Sequence, residues 1–289
     1  MKTILYATDY SKNSIAALKY AKKLSTKVGA YLVVTHVFGY PIVAEGAFIE
    51  HMPDIRKQNL KTHRAKLKEF CQQNLDGQWN AKHIKISPVE DLTILDGILS
   101  IAADWQVELI IVGAKGESAL QDVLLGSTTK RLLKKAACPV LAIPSEVRFT
   151  APKTIVYATD FEQEDVYAIR KTVELAKRFK SKIKVVHIST KKEYAGEIQM
   201  EWFKNALAGK VSYEHLDFKM FFSDDVFESL RSYLEEVGAD LVVMLEREKH
   251  GFLKKLFHRD LVKKMHSQGE IPLLSFNEAN LDVLDFTLR

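Results

Sequence analysis

With 289 residues, 47% of them hydrophobic and 27% charged, the chain has the profile of a soluble globular protein long enough for two domains with separate cores, which argues against a disordered chain. Its 42 basic and 37 acidic side chains leave a formal charge of +5, carried in part by Lys130-Arg131, Lys134-Lys135 and Lys254-Lys255 at helical spacing, and no aromatic stacking platform or nucleic-acid module accompanies them. Two cysteines, Cys71 and Cys138, provide neither a disulfide framework nor a zinc motif, and no apolar run approaches the ~20 residues of a membrane span, so a cytoplasmic protein is expected.

The chain opens with TILYATD at residues 3–9: a short apolar strand followed by Thr8-Asp9. Ile15, Leu18, Ala21 and Leu24 then recur at helical spacing, and a second strand runs to Val37. A loop with Gly39, Pro41 and Gly46 spans Phe38 to Pro53, and an amphipathic helix follows with Leu60, His63, Leu67 and Phe70 on one face. Asp76-Gly77 ends it, Lys82–Ser87 alternates like a strand, and Pro88 to Trp105 is expected to be helical with Leu92, Leu95, Ile98, Leu99 and Ala102 inward. The strand at 108–112 and a last one at 140–143 bring the count to five, alternating with helices, which predicts a doubly wound α/β parallel sheet.

Between those last two strands the chain spaces three glycines, Gly113, Gly116 and Gly126, and sets Ser127 and Thr128 behind the third. A glycine after a buried strand lets the backbone turn sharply and approach a ligand, and a helix opening on Gly-Ser-Thr offers unpaired N–H groups with a partial positive charge. The stretch is a candidate phosphate cradle.

Residues 154–160 read TIVYATD, repeating the opening at an offset of 151 that also aligns Ile15 with Val166, Leu24 with Leu175 and His36 with His187. Two homologous halves follow, expected over residues 1–146 and 151–289, joined by Ser145–Pro152. The second half should run strand 184–188, helix 194–207, strand 213–220, helix 225–237, strand 240–245 and strand 272–276, with a tail beyond Asn277 that the first half lacks.

Gly-x-x-Gly-x9-Gly-Ser from Gly113 through Ser127, with ATDYS near the start and CPVLAIP near the end, closely resembles the universal stress protein family, and the whole chain looks like a tandem member. The resemblance implies an adenine nucleotide alpha-hydrolase-like fold with strand order 3-2-1-4-5 in each half, and ATP binding where the glycine pattern is kept. Carried over by position, Ala7, Thr8, Asp9 and Val37 would contact adenine and ribose. Gly113, Lys115 and Gly116 would line the phosphate turn, and Gly126, Ser127 and Thr128 would hold the phosphates, which would themselves carry most of the coordination of a magnesium ion. Pairing through last strands implies an intramolecular pseudo-dimer, to which a second chain can add as a homodimer; the stress signal and protein partner are not readable.

The second half departs from the pattern. Leu245 aligns with Gly113, Glu248 with Gly116, His258 with Gly126, Arg259 with Ser127 and Asp260 with Thr128. One ATP site per chain is therefore expected, and Glu246, Arg247, His250 and His258 are expected to form a solvated charged surface rather than another site. No GxxxxGK[ST], HExxH or GxSxG motif is present, so the leading expectation is a nucleotide-dependent regulatory or interaction module rather than an enzyme. A slow ATPase and a nucleotide-free interaction scaffold are the alternatives.

Overall fold

In the structure, a computed structural model, residues 2–39, 52–75, 77, 79, 82–115, 125–190, 196–247 and 271–278 are described. Among the described residues the chain divides into two compact units, the first holding those up to 115 with 125–132 and 142–149, the second holding 133–141 and those from Thr150 onward.

The first unit begins with strand β1 (Thr3–Ala7), helix α1 (Lys12–Val28) and strand β2 (Tyr31–Thr35). Ser11 caps α1 by accepting the Ser14 amide, and Gly29 closes it in the left-handed conformation at φ 70°, its N–H returned to the last carbonyls. Strand β3 (Val37–Phe38), helix α2 (Met52–Asn74), strands β4 (Ile84–Ile86) and β5 (Val89–Glu90), and helix α3 (Ile94–Asp104) follow. Strand β6 (Leu109–Gly113), helix α4 (Ser127–Lys135) and strand β7 (Val140–Ile143) follow, α4 and β7 each divided between the two units. The principal strands lie in the order β4-β2-β1-β6-β7, the 3-2-1-4-5 arrangement. Ile4, Leu5, Tyr6, Leu32, Val33, Val34, Ile110 and Ile111 are wholly buried, which is why these strands read as continuous apolar runs rather than alternating ones.

The second unit repeats this plan with β8 (Thr154–Ala158), α5 (Gln163–Phe179), β9 (Lys182–Ser189), α6 (Gly196–Ala208), β10 (Leu216–Phe222), α7 (Val226–Glu236), β11 (Leu241–Glu246) and β12 (Leu273–Asn277). Its order is β10-β9-β8-β11-β12, again 3-2-1-4-5.

The stretch after Pro88 differs from the expected helix. Val89 and Glu90 pair in parallel with Val37 and Phe38, and α3 starts only after Thr93, whose hydroxyl accepts the Asp96 amide at 3.0 Å and donates to the Asp96 carboxylate at 2.6 Å. The cap, not the proline, sets the start, and Leu92 is consequently 83% exposed instead of inward. The second strand also breaks earlier than expected, at His36, leaving Val37 in the separate β3–β5 ribbon. Among the described side chains of α2, Leu67 and Cys71 are buried, whereas Leu60 faces outward.

Helix α3 lies close over β3 at Gly97, where a Cβ would stand 2.6 and 2.9 Å from the Val37 methyl carbons and 3.1 Å from the Asp91 Cβ. Gly97→Val is expected to destabilise the first unit by about 1–3 kcal/mol through overpacking, read as a lowered urea midpoint with unchanged slope. An unaltered midpoint would show that the helix can lift without loss.

Candidate functional site

In a doubly wound sheet the ligand crevice lies outside the carboxyl ends of the strands where the order reverses, here between β1 and β6. The two strands pair in parallel as Ile4 with Leu109 and Tyr6 with Ile111, a register that carries Thr8 level with Gly113. Ala7 and Thr8 are buried at the end of β1, and Asp9 is exposed beyond them with its Oδ1 accepting the Ser11 amide at 3.0 Å. That turn delivers the chain into α1.

Gly113 ends β6 directly against that helix start. A Cβ there would meet Lys115 O at 3.2 Å, Asn13 O at 3.4 Å and Ser14 Cα at 3.6 Å, so close backbone approach, not a positive φ, is what requires the glycine. The Ala114 amide donates to Ile143 O, Gly126 N to Ala114 O at 2.8 Å, and Thr129 Oγ1 to Gly113 O at 3.0 Å. The Lys130 amide donates to Gly126 O, which makes Gly126 the cap of α4 in place of Ser127 or Thr128. By helix geometry the amides of Ser127, Thr128 and Thr129 have no acceptor within the helix, and its first turn holds no acidic side chain. Gly113, Lys115, Gly126, Ser127 and Thr128 are thus gathered with the β1 terminus at one sheet end; Gly116 lies outside the described residues. Val37 is set apart from them, buried with its side chain against α3.

Sequence reasoning missed Ser14 and Thr129, the two hydroxyls that hold this geometry. Ser14 Oγ hydrogen-bonds Thr8 Oγ1 at 2.9 Å and the Ser14 carbonyl accepts from the Tyr6 hydroxyl at 2.6 Å. A Ser at a buried helical position was the available signal.

Beside the site, Tyr10 takes a left-handed φ of 64° and lays its ring 4.3 Å from that of His36, whose Nδ1 donates to the Thr8 carbonyl at 2.8 Å. His36 stacks on His63, and His63 on Phe38 at 3.8 Å, while Lys66 sits 4.5 Å above Tyr10. Burial lowers the pKa of His36 against the opposing pull of the Thr8 carbonyl, with His63 and Lys66 lowering it further and Asp9 raising it; burial and Lys66 lower that of His63. Both rings therefore take up a proton less readily in the folded state than in the unfolded chain. Stability of the first unit should fall as pH drops through about 6.5 and level off once the folded rings protonate. Parent denaturant midpoints that stay flat or rise in acid, or that fall no more steeply than those of His36→Gln and His63→Gln, would exclude this.

The second unit carries the same latch: Phe161 at φ 60°, its ring 4.5 Å from His187, and His187 Nδ1 donating to Thr159 O at 2.8 Å. Its strand ends differ. Asp165 stands in the position of Ser14, and Arg247 in that of Lys115, with Nη2 2.9 Å and Nη1 3.5 Å from the carboxylates of Asp165 and Asp160. Arg247 is 9% exposed at its side chain and Glu246 4% overall, so the expected solvated charged surface is instead buried at these two residues. His250 and His258, with Glu248, Arg259 and Asp260, lie outside the described residues.

The sequence profile of the Universal stress protein family matches residues 1–144. A universal stress protein A homolog of Coxiella burnetii is 32% identical over 144 residues, covering 49% of this chain and 94% of its own. The chain belongs to the universal stress protein family. A universal stress protein structure from Archaeoglobus fulgidus aligns over 96% of this chain and 98% of its own with a TM-score of 0.66 at 17% identity, so the two-unit fold recurs there. A universal stress protein solved in complex with cAMP aligns over 50% of this chain and 98% of its own, with a TM-score of 0.36 at 19% identity. For this universal stress protein, no helix among the described residues is long and apolar enough to cross a membrane, and no group of three His, Cys, Asp or Glu side chains is placed to hold a metal.

Proposed function

We propose that the protein is an ATP-binding stress-response module with one nucleotide site per chain, in the first unit, whose occupancy regulates an interaction with another protein. The observation that carries this reading is the approach of Gly113 to the first turn of α1 at the strand-order reversal, with Thr129 drawing the α4 terminus onto the Gly113 carbonyl. Backbone N–H groups and a helix terminus with no acidic first turn suit a polyphosphate. Ala7, Thr8 and Asp9 would face adenine and ribose, Gly113, Lys115 and Gly116 the phosphate turn, and Gly126, Ser127 and Thr128 the phosphates, while Val37, turned against α3, would back the site rather than touch the nucleoside. Magnesium would ride on phosphate oxygens.

Mass spectrometry of small molecules released by denaturing the purified chain, with calorimetric titration of ATP, tests the reading. Asp9→Ala is expected to weaken ATP about 10- to 100-fold, the range for losing a charged hydrogen bond, whereas Asp160→Ala should leave the affinity unchanged. A chain that neither releases nor binds adenine nucleotide defeats the proposal, and equal effects of the two substitutions defeat the single site.

A further inference from the structure

The crevice of the second unit lies between β8 and β11, which pair in parallel from Leu241 with Ile155 to Met244 with Ala158. Arg247 follows β11 directly and reaches across that reversal. Its guanidinium meets Asp165 on α5 at 2.9 Å and Asp160 beyond β8 at 3.5 Å, with side-chain exposures of 9%, 1% and 10% for Arg247, Asp165 and Asp160. Asp165 also accepts from the Tyr157 hydroxyl at 2.7 Å, from Thr159 Oγ1 at 2.9 Å and from the Glu162 amide at 3.2 Å. One carboxylate thereby collects strand, loop, helix cap and guanidinium.

From this geometry we infer that the second unit carries its own permanent occupant: the Arg247 guanidinium fills a cation site built by Asp160 and Asp165 at the switch point and ties the ends of β8, β11 and α5 together without any ligand. The site is made for a planar, forked cation. Two carboxylates against one guanidinium leave the group net negative, which repels phosphate whether or not the arginine is present. Leu245, 1% exposed where the first unit needs Gly113, removes the close-approach turn as well. Burial opposes the charge on Arg247, but Asp165, through charge and hydrogen bond, and Asp160 outweigh it and hold the guanidinium pKa above its ordinary value. The Arg247 Nε is buried with no acceptor among the described residues, so the fork, not the stem, does the binding.

The full chain with Arg247→Ala should show about a 100- to 1,000-fold shift of the second unit's unfolding equilibrium towards the unfolded state, because buried Asp165 and part-buried Asp160 lose their counter-ion. Guanidinium chloride well below denaturing concentrations should then stabilise this variant, while sodium chloride and urea at the same concentrations should not, and the parent should not respond. The double variant Arg247→Lys with Asp165→Ser copies the Lys115 and Ser14 arrangement of the first unit. It should fold and ignore guanidinium, and it decides the matter if the single variant does not fold: a folded, unresponsive double variant supports the site, an unfolded one overturns it. The inference also falls if Arg247→Ala is as stable as the parent or if guanidinium gives no selective gain. ATP stoichiometry is a separate reading on the first unit, so a failure of nucleotide binding leaves this test intact.

Discussion

Asp165→Ala is expected to destabilise the second unit by about 3–5 kcal/mol, the range for removing one partner of a buried ion pair. The carboxylate is 1% exposed at its side chain and makes four contacts, with Arg247, Tyr157, Thr159 and the Glu162 amide. Alanine strips the Arg247 guanidinium of its nearest counter-charge inside the fold and leaves a buried tyrosine hydroxyl to find another acceptor. Asp165→Asn separates the effects: it retains an oxygen for the hydroxyls and loses the charge, so it should recover only part of the stability. Because the chain has two units, the measurement is a urea titration followed by probes in each, with the second unit's transition displaced and the first unchanged. A displacement equivalent to less than about 1 kcal/mol would place Asp165 with exposed ion pairs and remove its structural role.

The second large effect is expected at the proposed nucleotide end of the first unit. Gly113→Val should weaken ATP about 10-fold or more and cost about 1–3 kcal/mol of stability, since even a Cβ stands 3.2 Å from Lys115 O and 3.4 Å from Asn13 O. Both obstacles are main-chain atoms of turns that are themselves tied down, by the Ser11 cap on one side and by the Thr129 and Ile143 carbonyl contacts on the other. The turn must therefore move outward. Gly113→Ala should fall between the parent and the valine variant in both measurements. Lost stability with unchanged ATP affinity would separate the turn from the phosphates.

Much of the architecture was legible because strands covered on both faces leave long apolar runs, and because TILYATD and TIVYATD announced the duplication. The helix expected from Pro88 illustrates the limit. Leu92 fits a helical apolar pattern, yet Thr93 and Asp96 form a local hydrogen-bonded stop that outweighs it, and the Thr-x-x-Asp spelling was there to be read. Val37 could be placed near a strand end but not oriented, since its side chain answers to Gly97 across the chain. Arg247 was misjudged as solvated for a different reason: its partner lies 82 residues upstream, and no local spacing reports a contact of that kind. A clue existed in Asp165, an acidic residue on the buried face of a helix where the first half has Ser14.

The latch shared by the halves has a consequence for how such a chain can change. Tyr10 and Phe161 both accept a left-handed backbone that costs a non-glycine residue about 1–2 kcal/mol, and both are held by a threonine hydroxyl, at 3.0 and 2.8 Å, and a histidine ring. Within a single polypeptide the two copies act as each other's control experiment. The features kept in both, Thr8 and Thr159 with His36 and His187, mark what folding demands of this sheet end, while Gly113 against Leu245 marks where the demand has been lifted. Loop grafts between the halves should then be interchangeable at the latch and incompatible one strand away.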